Sequence, residues 1–211
     1  PTSLAIVYRA ANGAELGTRL ADEVAAHPAL DERAIFVEAV QPPTALFVFG
    51  AGDDAQPLVR FARELGWRVT LADPRATFAT AERFPEATEC VVGRVDELVQ
   101  RAAPGPDAVA VVMTHHYVHD VPLLRDLLAR PLAYLGLLGP KKRAKKILAD
   151  LAGAGLSAAI QPPDTFRAPV GLDVGAETPE QVALSIIAEV QAVLTHRDGR
   201  PLRDRSGPIH E

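Results

Sequence analysis

The sequence has little that favours several large classes of protein. Its 211 residues include a single cysteine, Cys90, so no internal disulfide can form, and a reducing cytoplasm is the expected location. The net charge is -5, which gives no general attraction to nucleic acid or to an anionic membrane. No apolar run reaches the roughly 18 residues of a membrane span, and nothing resembles a signal peptide. We therefore expect neither a nucleic acid nor a membrane as partner.

The composition and the pattern of prolines predict one main domain with small additions. Apolar residues make up 48% of the chain, which is enough for a sizeable core, and the first residue is Pro1 instead of Met, as expected of a fragment. Residues 1–43 read as a strand-helix-strand appendage, from an N-terminal domain or for dimerisation, with its helix at about Glu15 to Ala26. Pro42-Pro43 ends it. Residues 44–196 form the main domain, and 197–211 a flexible tail.

Strands and helices alternate along the main domain. Continuous apolar runs at 46–49, 67–72, 90–92, 107–113 and 132–138 predict buried strands, and helical spacing follows most of them. Residues 156–178 look irregular, and Thr178, Pro179 and Gln181 indicate the start of a last helix. The pattern predicts an α/β fold: a doubly wound, mainly parallel sheet with helices on both faces. Ligands of such sheets bind where the strands end.

A glycine turn follows the first of these strands. Gly50, Gly52 and Ala55 fit G-x-G-x-x-A between a strand and a helix, which is typical of dinucleotide binding. Asp73 ends the second strand, 21 residues after Gly52, where such a fold places its ribose-binding acid. Arg75 is available for a 2'-phosphate. Taken alone, this spacing predicts NAD or NADP as cofactor.

Two aspartates in the same turn oppose that interpretation. Asp53 and Asp54 stand where helix amide groups would otherwise hold pyrophosphate. One of them can supply the negative charge itself as a helix N-cap. The alternative is a contact with a ligand or a metal-linked group, and both interpretations remain open.

The turn after the fourth strand carries Thr114, His115 and His116, followed by His119 and Asp120. These residues adjoin the glycine turn across the predicted switch point. One histidine could contact a ligand, or the segment could simply open a helix. Adjacent histidines diverge, and no complete metal-ligand set is visible, so no metal site is predicted.

The turn after the fifth strand is basic. Gly139 and Pro140 precede Lys141, Lys142 and Arg143 at a helix start, where the helix dipole disfavours cations. An anionic ligand would offset that cost, whereas a solvated basic face is the alternative. A later loop carries Asp173 between two glycines, either as a site residue or as part of a loop packed over the sheet.

Several segments together resemble the XdhC/CoxI family of xanthine dehydrogenase accessory proteins. They are "FVEAVQPPTALFVFGAGDDAQPL", "LGWRVTLADPR", "ERFP", "VVMTHHYVHD", "YLGLLGPKKR" and "APVGLDVGAETPEQVALSIIAEV", in order over about residues 35 to 195. Members of the family typically also carry an N-terminal domain with cysteine-glycine motifs. Residues 1–40 contain no cysteine and resemble at most the end of that region.

The resemblance implies a Rossmann-like domain that binds the molybdenum cofactor, a molybdopterin that is in some forms a nucleotide. It implies delivery to a molybdenum hydroxylase apo-enzyme of the xanthine dehydrogenase or CO dehydrogenase type, without turnover. A homodimer and a cysteine desulfurase as a further partner are also expected. No catalytic residue is predicted. The predicted binding residues are Gly50, Gly52, Asp53, Asp54, Asp73, Arg75, Thr114, His115, His116, Gly139, Lys141, Lys142, Arg143 and Asp173.

Two other functions fit parts of the sequence. An NAD(P)-dependent oxidoreductase would use the glycine turn, Asp73 and Arg75. A non-catalytic nucleotide-binding assembly module would use its first 45 residues to dimerise. Binding of dinucleotides and the oligomeric state distinguish these hypotheses from a cofactor chaperone.

Overall fold

A computed structural model describes residues 5–9, 15–20, 36–40, 42–153 and 164–207. The chain divides into two compact units, residues 1–43 and residues 44–211. Within the described residues, no helix combines the length and the apolar character needed to cross a membrane.

The first unit contains a three-stranded antiparallel sheet. Strand β1 (Ala5–Arg9) lies between β2 (Glu15–Leu20) and β3 (Phe36–Val40). The predicted helix at about Glu15 to Ala26 is therefore wrong over 15–20, and its remainder lies outside the described residues. Gly17 and Thr18 disfavour a helix there, and Leu16, Thr18 and Leu20 alternate with the period of a strand.

The second unit is a six-stranded sheet in which every neighbouring pair is parallel. The strands are β4 (Ala45–Phe49), β5 (Arg68–Asp73), β6 (Glu89–Val92), β7 (Val109–Val112), β8 (Tyr134–Leu137) and β9 (Phe166–Arg167). Their spatial order is β6-β5-β4-β7-β8-β9, which is the 3-2-1-4-5-6 order of a Rossmann fold, and this confirms the predicted fold class. Strand β9 lies in the segment 156–178, which the sequence predicted to be irregular. The prediction missed it because a strand of two residues has no detectable periodicity.

Helices cover both faces of this sheet. They are α1 (Ala55–Glu64), α2 (Val95–Ala102), α3 (Tyr117–Leu128), α4 (Lys141–Gly153) and α5 (Pro179–Leu194), with a short 3-10 helix at Leu202–Asp204. Helices α1 and α5 pack on one face, and α2, α3 and α4 on the other.

Two hydrophobic clusters lie on opposite faces of the sheet. Along β7, Val109 and Val111 contribute to the cluster under α1 and α5, whereas Ala110 and Val112 contribute to the cluster under the other helices. All four are buried, as expected when a parallel strand is covered on both faces. The sheet is thus packed on both faces, and its carboxyl edge carries the loops described next.

Candidate functional site at the carboxyl edge of the sheet

The glycine turn after β4 packs directly on the loop after β7. Gly50 has a φ of +120°, and a Cβ atom at this position would lie 2.6 Å from the carbonyl oxygen of Met113. The turn is closed by hydrogen bonds from Gly50 N to the carbonyl of Ala72 and from Ala55 N to that of Gly52. Gly50 therefore permits the close approach of two loops at the switch point between β4 and β7.

The two aspartates of the turn bind cationic or ring-nitrogen groups of the protein itself. Asp54 occupies the N-cap position of α1, but its side chain makes no capping hydrogen bond. Its Oδ2 instead lies 2.5 Å from His115 Nε2 across the switch point. Asp53 Oδ1 accepts a hydrogen bond of 2.5 Å from Arg83 Nη2. Neither carboxylate therefore caps the amide groups of α1, and each is paired with another side chain of the protein.

The carboxylate of Asp73 is buried and accepts four hydrogen bonds. Its Oδ2 accepts from Ala51 N at 2.7 Å and from Arg75 Nη2 at 2.8 Å, and its Oδ1 accepts from the backbone N and the Nε of Arg75, both at 2.8 Å. Burial alone would raise the pKa of Asp73, but the hydrogen bonds from Arg75 and Ala51 hold the pKa below its ordinary value. Asp73 and Arg75 thus lie at the end of β5 as predicted and bind each other.

Sequence reasoning missed Arg83, which links the loop after β5 to the glycine turn. Its Nη1 donates to the carbonyl oxygens of Ala51 and Phe78, both at 3.1 Å. Its guanidinium lies over the ring of Phe78 at 4.6 Å, and that of Arg75 lies over the same ring at 3.8 Å. The segment "ERFP" contributed only to the family resemblance, and no spacing rule in the sequence connects it to Asp53.

The loop after β7 contains a strained histidine and a buried hydroxyl. His115 has a φ of +58°, a conformation that is uncommon for residues other than glycine. Thr114 is buried, and its Oγ1 donates to Asp120 Oδ1 at 2.5 Å while it accepts from His116 N at 3.1 Å. The rings of His116 and His119 lie 5.2 Å apart. The loop is therefore hydrogen-bonded to α3 through Thr114 and Asp120, and to the glycine turn through His115 and Asp54.

A buried ion pair joins the first turns of α3 and α4, the helices that follow β7 and β8. Arg143 Nη2 contacts Asp120 Oδ2, and the Asp120 side chain is only 1% exposed. The contact lacks hydrogen-bond geometry, so Asp120 Oδ2 and Arg143 Nε and Nη2 have no hydrogen-bond partner within the described residues. Gly139 has a φ of +137°, and a Cβ there would lie 3.3 Å from the Cδ of Arg143. The predicted anion-binding arginine is therefore already engaged with an aspartate that the sequence reasoning treated only as helix entry.

The remaining predicted residues lie at the same edge without joining these contacts. Lys141 and Lys142 are exposed in the first turn of α4, and neither has an ion-pair partner among the described residues. Asp173 is exposed in the loop between β9 and α5, and β8 and β7 separate that strand from β4. Gly52 lies in the glycine turn, where a Cβ would meet the side chain of Asp54 at 2.5 Å.

The described residues contain no group of three or more His, Cys, Asp or Glu side chains arranged to hold a metal ion. The edge instead offers hydrogen-bond donors: the imidazole of His115, the ammonium groups of Lys141 and Lys142, and the partly exposed guanidinium of Arg75. The carboxylates beside them are paired with other groups of the protein. Such a donor set suits an anionic organic ligand, for instance one that carries a phosphate. Strand order and glycine turn together define a protein of the Rossmann class, and the edge at its switch point is the candidate ligand site.

Comparison with known proteins identifies the particular family. The family model described as the XdhC Rossmann domain matches residues 46–190, and the chain belongs to this family. A curated relative from Bacillus subtilis, named as a probable subunit of xanthine dehydrogenase, is 35% identical over 156 residues, which is 74% of this chain and 44% of the relative. The "Uncharacterized protein YqeB" of Escherichia coli is 29% identical over 77% of this chain and 30% of its own length.

A solved structure agrees with this assignment. The crystal structure titled as a xanthine dehydrogenase from Bacillus halodurans matches with a TM-score of 0.77 and 27% identity, over 97% of this chain and 62% of that one. This chain spans less than half the length of the two curated relatives. The family resemblance that the sequence predicted is thereby confirmed. The association with a dehydrogenase and the finer roles belong to the proposal below.

Proposed function

We propose that this protein is an accessory factor in the maturation of a molybdenum hydroxylase. In this role it binds the molybdenum cofactor and passes it to an apo-enzyme of the xanthine dehydrogenase or CO dehydrogenase type, acting as a chaperone without turnover. The observation that carries the proposal is membership of the XdhC Rossmann family, whose relatives bear names linked to xanthine dehydrogenase.

The residues at the carboxyl edge fit the chemistry of such a ligand. The cofactor is a pterin with a phosphate or nucleotide tail, so it needs cationic and hydrogen-bonding groups more than acid–base residues. Lys141 and Lys142 would face the anionic tail, and His115 at the switch point would donate to polar atoms of the ligand. When bound, the cofactor supplies the molybdenum chemistry of the recipient enzyme, and this chain orients and shields it.

Two further partners belong to the same proposal. A homodimer would present two edges for transfer, and a cysteine desulfurase would supply sulfur to the held cofactor. Light scattering measures the first, and co-purification with a purified desulfurase measures the second.

Anaerobic titration calorimetry with isolated molybdenum cofactor tests the proposal. We expect a Kd of about 1–10 μM, corresponding to about 7–8 kcal/mol of binding free energy. Lys141→Ala and Lys142→Ala should each weaken binding by about tenfold, whereas Lys145→Ala, on the next turn of the same helix, should not. Arg143→Ala is a poor probe because it leaves Asp120 buried without its counter-charge.

Three outcomes would contradict parts of this proposal. Equal losses in all three lysine variants would place the anionic tail elsewhere. Binding of NADH or NADPH alone, in parallel titrations, would favour a redox role. Failure of the loaded protein to restore activity to an apo-hydroxylase would exclude delivery even where the cofactor binds.

A further inference from the structure

We propose that the chain's own side chains close the position at which a Rossmann fold binds the ribose of NAD or NADP. Arg75 and Arg83 are then specificity-determining residues that exclude these dinucleotides. This inference concerns the ligands that the edge rejects, so it goes beyond the proposed function and does not depend on it. It rests on contacts around Asp73, Ala51 and Phe78.

The first observation is that Asp73 has no capacity left for a ribose. A carboxylate offers about four lone-pair sites for hydrogen bonds. In this structure four donors take them: Ala51 N, and the backbone N, Nε and Nη2 of Arg75, at 2.7–2.8 Å. A dinucleotide fold uses the acid at this position to accept from ribose hydroxyls. Here such a hydroxyl would have to displace a donor that belongs to the protein.

The second observation is that Arg83 spans the two loops between which the ribose would enter. One nitrogen, Nη1, donates to the carbonyl of Ala51 in the glycine turn and to that of Phe78 in the loop after β5. The other, Nη2, pairs with Asp53, which lies in the glycine turn just before α1. Ala51 is therefore held through its N–H by Asp73 and through its carbonyl by Arg83, so the turn and the neighbouring loop are fastened together.

The third observation is that the fastening arginines are themselves held by packing. Phe78 lies under both guanidinium groups, at 3.8 Å for Arg75 and 4.6 Å for Arg83, and the Arg83 side chain is only 24% exposed. Stacked guanidinium groups lose their ring contacts and hydrogen bonds when a ligand displaces them. A ribose that entered at this position would therefore displace contacts of both arginines.

Titration calorimetry with ADP-ribose tests this closure directly, because ADP-ribose carries the adenosine, the ribose and the pyrophosphate of a dinucleotide. We expect no saturation of the wild-type chain up to about 1 mM. The double variant Arg75→Ala/Arg83→Ala should bind at least about tenfold more tightly, because it frees two sites on Asp73 and separates the two loops. Arg68→Ala, an exposed arginine at the opposite end of β5, serves as the control and should match the wild type.

Equal or weaker binding by the folded double variant, including no detectable binding, would overturn the inference. Circular dichroism reports whether the variant is folded. If it is not, Arg75→Met/Arg83→Met keeps an aliphatic contact with Phe78 while it removes the guanidinium hydrogen bonds. Its titration with ADP-ribose is then compared with that of the wild type, and the same outcomes support or overturn the inference. The molybdenum cofactor takes no part in these titrations, so their result is independent of the success or failure of the proposed function.

Discussion

At the scale of single residues, the candidate site depends on Gly50, which has no Cβ atom. The loop after β7 approaches the turn so closely that a Cβ at Gly50 would lie 2.6 Å from Met113 O and 3.0 Å from Thr114 Cα. Both contacts are with backbone atoms, which cannot rotate away. The backbone at Gly50 also has a φ that L side chains rarely adopt.

Gly50→Ala should destabilise the protein by about 1–3 kcal/mol, because the clash adds to the conformational strain. Gly66→Ala is the matched control: Gly66 also has a positive φ, +77°, but nothing lies within 4 Å of its added Cβ. That change should cost only about 1 kcal/mol. Urea denaturation measures both, and equal losses would mean that the loop after β7 yields easily.

Asp73 gives the protein a defined response to acid. Its folded pKa lies below its ordinary value of 3.8 because of the hydrogen bonds from Arg75 and Ala51, against the opposing effect of burial. The carboxylate therefore contributes stability that is present above the unfolded pKa and is lost as the pH falls through the folded pKa. We expect the free energy of unfolding to decline below about pH 4 on this account.

The control for this pH dependence is Asp73→Asn, followed by urea denaturation at several pH values. An amide cannot ionise, so the variant should be less stable at neutral pH and should show a shallower acid decline. A decline as steep as in the wild type would show that other carboxylates determine acid unfolding.

Sequence reasoning located the site residues that directly follow strands, but not their partners. Gly50, Asp73 and Thr114 were found because parallel strands end at one edge of a sheet. Arg83 and Asp120 were not assigned their contacts, because each reaches its partner over a path that only the folded loops define. The roles of the predicted residues toward a ligand stay predictions.

At the scale of secondary-structure elements, the Asp120–Arg143 pair ties the first turn of α3 to the first turn of α4. Asp120 also accepts from Thr114 at the end of β7, so three neighbouring segments meet at one buried carboxylate. Removing one partner of a buried pair leaves an uncompensated charge, whereas removing both does not. This asymmetry makes the link measurable.

Arg143→Met should cost about 3 kcal/mol, near the lower end for buried pairs because Arg143 keeps 18% of its side chain exposed. The double variant Asp120→Asn/Arg143→Met should recover at least about 1 kcal/mol of that loss, since no charge is then left unpaired. Thermal and urea denaturation give both values. Strict additivity of the two single changes would contradict a direct ion pair.

Helix α5 begins with the capping box that the sequence predicted. Thr178 Oγ1 accepts from Gln181 N at 3.3 Å, and Gln181 Oε1 accepts from Thr178 N at 3.1 Å. Thr178→Ala should therefore cost about 1 kcal/mol. Thr195→Ala at the other end of the helix should cost only a few tenths, because its hydroxyl bonds to a carbonyl within its own helix. Equal losses in urea denaturation would deny the capping box any special contribution.

The elements that were predicted correctly have strong and consistent local signals. β7 is apolar over its whole length, and α5 combines a cap, a first-turn proline and a long apolar periodicity. The error at β2 arose where a short segment is compatible with either period until it pairs with β1. Pairing between strands is a tertiary interaction, so local propensity could not decide it.

At the scale of the whole molecule, the two units differ in how they are built. The first is a three-stranded antiparallel sheet, and such small sheets need a hydrophobic face covered to be stable. The second has hydrophobic clusters on both faces of its own sheet, formed under its own helices.

Because its own helices cover both faces of its sheet, the segment 44–211 should fold by itself. We expect it to unfold in one cooperative transition, with a denaturant m-value typical of about 170 residues. Its far-UV circular dichroism should show the same helix and sheet signals as the full chain does. A chain of residues 1–43 alone should show no cooperative transition, since it lies near the size below which small folds usually need extra stabilisation. Loss of cooperativity in 44–211 would contradict this expectation.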